Sequence, residues 1–158
     1  MKVLVTGASG FVGSHVLESL DCDRLQILAL KRDADRCCRP QPNVQWFAAD
    51  LSEPESYQDT VRKFNPEIVI HLSWGKIPDH SAAVCLDNAF DSVKFFNFIT
   101  SQTECRRIIG AGSCLEYSER CGVCEEGAEV RPHDHFSWAK TFTQEHLRIL
   151  SLNMGIEF

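Results

Sequence analysis

The sequence predicts an α/β protein of three layers, with helices on both faces of a parallel sheet of five strands plus the opening residues of a sixth. Three observations predict it. Short apolar runs alternate with helical stretches from end to end, as in a chain of strand-helix-strand units. The runs are continuous rather than alternating, the pattern of strands buried on both faces. A glycine-rich turn joins the first run to the first helix.

Taken in order, the first strand is expected at 3–6 and the first helix at 11–20. Strands follow at 25–30 and 44–48, then a helix over 53–64 with Ser52 as its N-cap. Residues 68–72 supply the fourth strand, and a long helix covers about 80–101. The fifth strand is expected at 107–111 and the last helix over 136–152, with Phe142, Leu147, Leu150 and Leu152 among its apolar positions. Pro66 and Gly155 stand just beyond helix ends, where breakers belong. Residues 156–158 resemble the start of a sixth strand. No repeat or low-complexity segment interrupts the pattern, so 1–158 is expected to be one domain.

Composition limits the function. The chain has 158 residues, 44% of them hydrophobic and 24% charged, which suits one globular core and not two. Sixteen basic and 22 acidic residues leave a net charge of −6. That balance argues against a non-specific binder of nucleic acid or of an anionic membrane, since both need a cationic face. No apolar run approaches the roughly 20 residues that span a bilayer. Met1 leads straight into Lys2-Val3-Leu4-Val5 with no signal-peptide core, so a cytoplasmic location is expected. Eight cysteines are many for this length, yet only Cys121 and Cys124 have the CxxC spacing. No second ligand pair follows, so no metal is expected and the thiols are expected reduced.

The turn carries the chemistry. In Thr6-Gly7-Ala8-Ser9-Gly10-Phe11-Val12-Gly13 the glycines recur every third residue. Gly7 permits a tight turn, Gly10 admits a diphosphate close to the backbone, and Gly13 lets the helix pack on the strand. The N–H groups of the turn, with Ser9, Phe11 and Val12 at the helix start, are expected to hold the diphosphate of a dinucleotide. This is the phosphate-binding turn of a Rossmann-type fold.

The TGxxGxxG form of Thr6 to Gly13 resembles the extended short-chain dehydrogenase/reductase family, in particular its NAD-dependent epimerase/dehydratase branch, which works on nucleotide-linked sugars. Further matches are collinear with it. Asp50 and Leu51 are similar to the family's pair at the adenine ring. His71-Leu72-Ser73-Trp74 looks like its HLAA segment, which places Leu72, Ser73 and Trp74 beside the cofactor, and Asn88 takes the place of its helix asparagine. The resemblance implies a nicotinamide cofactor, hydride transfer and a nucleotide-sugar substrate.

An acid at the end of the second strand would hydrogen-bond the ribose of NAD, whereas an arginine there would accept the extra phosphate of NADP. The chain has Lys31-Arg32-Asp33. Lys31 falls at the acid's position and Arg32 follows, so NADP is the expected cofactor, with Arg32 its fork-like partner. Asp33 keeps NAD as the alternative.

After the fifth strand, Gly112-Ser113-Cys114-Leu115-Glu116-Tyr117 is similar to the family's serine-rich segment, and puts Ser113 at its catalytic Ser/Thr. Pro132 to Lys140 resembles the proline followed by YxxxK, with Phe136 at the tyrosine position and Lys140 at the lysine. In the family the tyrosine passes a proton to or from the substrate oxygen, and the lysine lowers its pKa and holds the ribose. Phenylalanine has no such proton, and losing a general acid/base costs about 10²- to 10⁴-fold in rate. Phe136 reads equally as an introduced replacement, as a natural loss in a non-catalytic relative, or as a variant in which Tyr117, His133, His135 or Cys114 supplies the proton. Glu116 and Tyr117 are candidate substrate contacts, with packing as the other reading of Tyr117.

Two functions therefore stand: the cofactor half of a sugar-nucleotide oxidoreductase, or a dinucleotide-binding module without catalysis. The resemblance also implies that the substrate lobe lies beyond 158, leaving apolar surface at that end and an expectation of self-association or a homodimer.

Overall fold

The computed structural model describes residues 1–20, 24–36, 38–117, 125 and 127–158. Cys22, Cys37 and the Cys121/Cys124 pair lie outside the described residues. Cys38, Cys85, Cys105 and Cys114 are free thiols, the second and third of them buried.

The elements are β1 (Lys2–Thr6), α1 (Phe11–Ser19), β2 (Gln26–Lys31), β3 (Val44–Ala48), α2 (Pro54–Phe64), β4 (Ile68–His71), α3 (Ala82–Gln102), β5 (Arg107–Gly110) and α4 (His135–Met154), with a single 3₁₀ turn at Cys114–Glu116. The strands are parallel in the order β3-β2-β1-β4-β5. A sixth strand begins where Glu157 bridges Arg107 in parallel, its carboxylate 2.6 Å from the Arg107 guanidinium. This is the α/β/α layered fold the sequence predicts.

Side chains alternate across the sheet, as the two-residue period of a strand requires. Leu4, Leu28, Val69 and Ile108 point to one face, where Tyr57 and Val61 of α2, Phe95 and Ile99 of α3 and Leu147 of α4 cover them. Val3, Val5, Ile27, Ala29 and Ile70 point to the other, against Leu17 of α1. The outer strands depart from the expected burial on both faces. β3 has no buried residue and β5 has only Ile108, because β3 is the sheet edge and β5 has beyond it only the short bridge to Glu157.

The helix starts also differ from expectation. Ser52 is not the cap of α2, because its hydroxyl is held by Asp50 Oδ1 at 2.8 Å; the helix starts one residue later, with Glu53 at the cap position and Pro54 in its first turn. α4 starts at His135, capped by Asp134, whose carboxylate accepts Ser137 N–H at 2.7 Å while the Ser137 hydroxyl reaches back to Asp134 N. Its stop is Gly155, in the left-handed conformation at φ 66°. α2 ends on Asn65, also left-handed, just before Pro66.

Candidate functional site

The strand order reverses between β1 and β4, so the crevice beyond their C-terminal ends is where an open parallel sheet can take a ligand. A cleft of ≈ 830 Å³ lies there. Its floor is the glycine turn. Gly7 has φ +64°, and a Cβ on it would lie 2.8 Å from the backbone of Leu72 and Ser73. A Cβ on Gly13 would run into Gly7 O and lie 2.7 Å from Ala8 Cα, so the helix can approach the turn this closely only without one. Gly10 is the N-cap of α1 and offers no side chain to the first-turn N–H groups; no acid stands in that turn. Those donors and the helix dipole are left for an anion. Phe11 and Val12, 83% and 56% exposed, line the cleft with them.

A buried polar relay holds the turn to the sheet. Thr6 and His71 are register partners at the ends of β1 and β4. Thr6 Oγ1 lies 2.9 Å from His71 Nδ1 and accepts Ser73 N–H at 3.3 Å. His71 Nε2 lies 3.2 Å from Ser92 Oγ, which donates to the Asn88 carbonyl at 2.8 Å. One proton arrangement satisfies every group: Thr6 donates to Nδ1, and Nε2–H donates to Ser92. Burial pushes the His71 imidazole down to about 3, with Lys140 adding a smaller repulsion. Asn88 clamps the next segment, its amide donating to Gly75 O at 3.2 Å and its oxygen accepting Gly75 N–H.

At the β2 end, Lys31, Arg32 and Arg36 line the cleft. Lys31 is committed to its own loop, donating to Ala34 O at 2.7 Å and Arg36 O at 2.8 Å. Arg32 reaches across, so that a Cβ on Gly75 would be 3.3 Å from its Nη1. Asp33 is turned into the loop, where its carboxylate accepts Asp35 N–H at 2.9 Å. Asp50 and Leu51, which follow β3 beside the end of β2, also line the cleft, Asp50 Oδ1 accepting Ser52 N–H at 3.0 Å. Leu72, Ser73 and Trp74 complete it.

A second cavity, ≈ 350 Å³, adjoins the first, since Trp74 and Ser92 line both. It brings together Ser113, Glu116 and Lys140. Ser113 caps the 3₁₀ turn: its hydroxyl accepts Leu115 N–H at 3.2 Å, and its own N–H donates to Glu116 Oε1 at 2.5 Å. Lys140 Nζ donates to Ala111 O at 3.0 Å and lies 4.1 Å from the centroid of the Trp74 ring. Burial lowers its ammonium to about 8, against the opposing pull of Glu116.

Phe136 is 8% exposed and occupies an aromatic setting. Trp74 meets it edge-on at 5.5 Å and His80 stacks on it at 4.4 Å and 14°. Of the alternative proton donors, Tyr117 and Cys114 line the second cavity. His133 and His135 do not; His133 Nδ1 instead lies 2.9 Å from Arg131 O. Ser92, which lines both cavities, and His80, which stacks on Phe136, are named nowhere in the sequence reading of the site, and Thr6 enters that reading only as the first residue of the turn. The polar ends of the otherwise apolar β1 and β4 were the available signal for Thr6, whereas nothing local marked His80.

The cleft fits a dinucleotide on its own chemistry: an uncapped helix start, glycines with no room for a side chain and an outlying guanidinium. No helix among the described residues is long and apolar enough to cross a membrane. The chain is similar to dTDP-6-deoxy-L-talose 4-dehydrogenase (NAD(+)) of Aggregatibacter actinomycetemcomitans, 25% identical over 149 residues that cover 92% of this chain and 53% of the relative. Its fold matches Thermus thermophilus UDP-glucose 4-epimerase in complex with NAD, with a TM-score of 0.83, 22% identity, and coverage of 99% of this chain and 52% of that one. Bordetella bronchiseptica WbmG in complex with NAD matches with a TM-score of 0.80 at 17% identity, over 94% of this chain and 49% of that one. The chain thus spans about half the length of these relatives. Residues 3–158 match the model of the NAD dependent epimerase/dehydratase family, and the chain belongs to that family.

Proposed function

We propose that this chain is the cofactor-binding part of an oxidoreductase that takes NADP(H) and acts on a nucleotide-linked sugar. The observation that carries the reading is the continuity of the two cavities: phosphate-type donors and Arg32 stand at one end, Ser113 and Lys140 at the other, and Trp74 borders both. The relatives' names, a dTDP-sugar dehydrogenase and a UDP-glucose epimerase, support the substrate class.

In this reading the N–H groups of the glycine turn hold the diphosphate. Arg32 and Arg36 receive the 2′-phosphate, and the inward turn of Asp33 supports NADP over NAD, because its carboxylate serves the loop rather than the cleft. The bound nicotinamide supplies hydride acceptance or return. Lys140 donates to the ribose, and Ser113 holds the substrate oxygen by its hydroxyl. Trp74 and Phe136 exclude water from that end. Phe136 supplies no proton, which supports a second reading as a binding module without turnover.

Calorimetry of the chain with NADP⁺ and NAD⁺ tests the assignment. NADP⁺ should bind about tenfold more tightly, a difference of about 1.4 kcal/mol, and Arg32→Ala should abolish the preference. Equal or tighter binding of NAD⁺ overturns it.

A further inference from the structure

Glu116 is the one acidic side chain lining the second cavity among the described residues, and its burial is unusual for a carboxyl. It is 3% exposed, forms no ion pair among the described residues, and accepts one N–H, that of Ser113, on Oε1. Capping the turn needs only that one acceptor, which an uncharged side chain supplies without the desolvation a carboxylate suffers. Its second oxygen accepts no hydrogen bond among the described residues. The groups that share its cavity are Lys140 from α4, His71 from β4, and Cys114 and Tyr117 from its own segment, with Thr143 and Gln144 the neutral polar side chains of α4 that line it. His71 is fixed neutral by Thr6 and Ser92, so Lys140 is the cation that Glu116 faces.

We propose that Glu116 is the acid–base group of this site, taking the role that Phe136 cannot fill. In the oxidative direction the proton of a substrate hydroxyl passes to the Glu116 carboxylate as that O–H bond breaks. The hydride of the same carbon passes to NADP⁺, the alcohol becomes a ketone and the cofactor is reduced; the return direction reverses each transfer. Ser113, whose N–H fixes the carboxylate, stands beside the same oxygen. Burial raises the carboxyl above the ordinary glutamate range, against Ser113 N–H and Lys140, which suits a group that must hold a proton as well as release one.

The inference rests on the reading of the cleft as a dinucleotide site, and the test separates the two. The oxidised nicotinamide ring is cationic and the reduced ring is neutral. A carboxylate beside it therefore favours the oxidised form once it has lost its proton. The affinities of the chain for NADP⁺ and NADPH are measured by Trp fluorescence from pH 5 to 9 and expressed as a ratio, in which the titration of the 2′-phosphate cancels.

The ratio should rise about tenfold towards NADP⁺ across the acid limb. Glu116→Gln, which keeps the acceptor for Ser113 N–H, should remove that limb and leave the one near pH 8 that belongs to Lys140. In the unsubstituted chain, the side-chain carboxyl ¹³C resonance of Glu116 should titrate at lower pH with NADP⁺ than with NADPH, a readout that does not depend on the variant folding. A flat acid limb with both cofactors bound overturns the inference alone. Failure of either cofactor to bind overturns the cofactor reading and the inference with it.

Discussion

The Lys140 ammonium rests 4.1 Å from the centroid of the Trp74 indole, a contact that joins α4 to the segment following β4 where the two cavities meet. The ring face attracts the cation and holds it at the cleft, while burial draws its pKa down to about 8. The charge is therefore present at neutral pH and is lost as pH rises through 8. NADPH affinity should fall by about three- to tenfold between pH 7 and 9, the difference between a charge-assisted and a neutral donor. Lys140→Ala should bind weakly at both pH values. Fluorescence titration of NADPH checks this, and an affinity that Lys140→Ala leaves unchanged removes Lys140 from the cofactor site.

The relay from Thr6 through His71 to Ser92 makes folding sensitive to acid. The folded imidazole has its pKa lowered to about 3 from the ordinary 6.5. Below 6.5 the unfolded chain binds a proton that the folded chain refuses, so stability falls as pH falls, by up to about 1.4 kcal/mol per pH unit. The window from pH 6.5 to about 5 precedes the bulk of carboxylate protonation, and comparison with a His71 variant separates this slope from the opposite one of the raised Glu116 carboxyl. Urea unfolding across that window should show the slope, and His71→Gln should flatten it. A slope that survives in the variant assigns the effect elsewhere.

Features written in contiguous residues were legible before the structure. The glycine turn is one, since each glycine answers to a local steric demand, and the succession of strands and helices along the chain followed from alternating apolar runs and helical stretches. Features that depend on where a side chain turns were not. Lys31 and Asp33 both read as cofactor contacts, yet each is drawn into the β2–β3 loop by backbone groups only a few residues away. His80 on Phe136 and Trp74 on Lys140 join segments far apart in the chain, and no local pattern encodes such contacts. Ser52 failed as a cap for a local reason, because Asp50 competes for its hydroxyl and Pro54 sets the helix start.

Gly13 separates packing from chemistry. A Cβ there would collide with Gly7 O and stand 2.7 Å from Ala8 Cα, against backbone that has nowhere to move without distorting the turn. Gly13→Ala should destabilise the fold by about 1–3 kcal/mol, the range for overpacking a tight site. NADPH binding should fall with it, because the displaced helix start carries the N–H groups proposed to hold the diphosphate. Thermal unfolding and cofactor titration on the same sample check both, and normal stability together with normal affinity contradicts the described packing.

Phe136→Tyr adds one oxygen to a ring 8% exposed, edge-on to Trp74 and one helical turn before Lys140. Positions i and i+4 share a helix face, so the new hydroxyl should share the Lys140 environment. A cation nearby favours the phenolate, and the new phenol should titrate below the ordinary value near 10. Tyr57, which burial pushes up to about 12, stays outside that region of an ultraviolet difference titration, and subtracting the titration of the unsubstituted chain removes the contribution of Tyr117. Lys140→Met in the same background should return the phenol towards its ordinary value. A phenol that titrates at or above 10 points away from Lys140, and then Phe136 is a packing residue whose ring could not have served as the proton donor even with its hydroxyl restored.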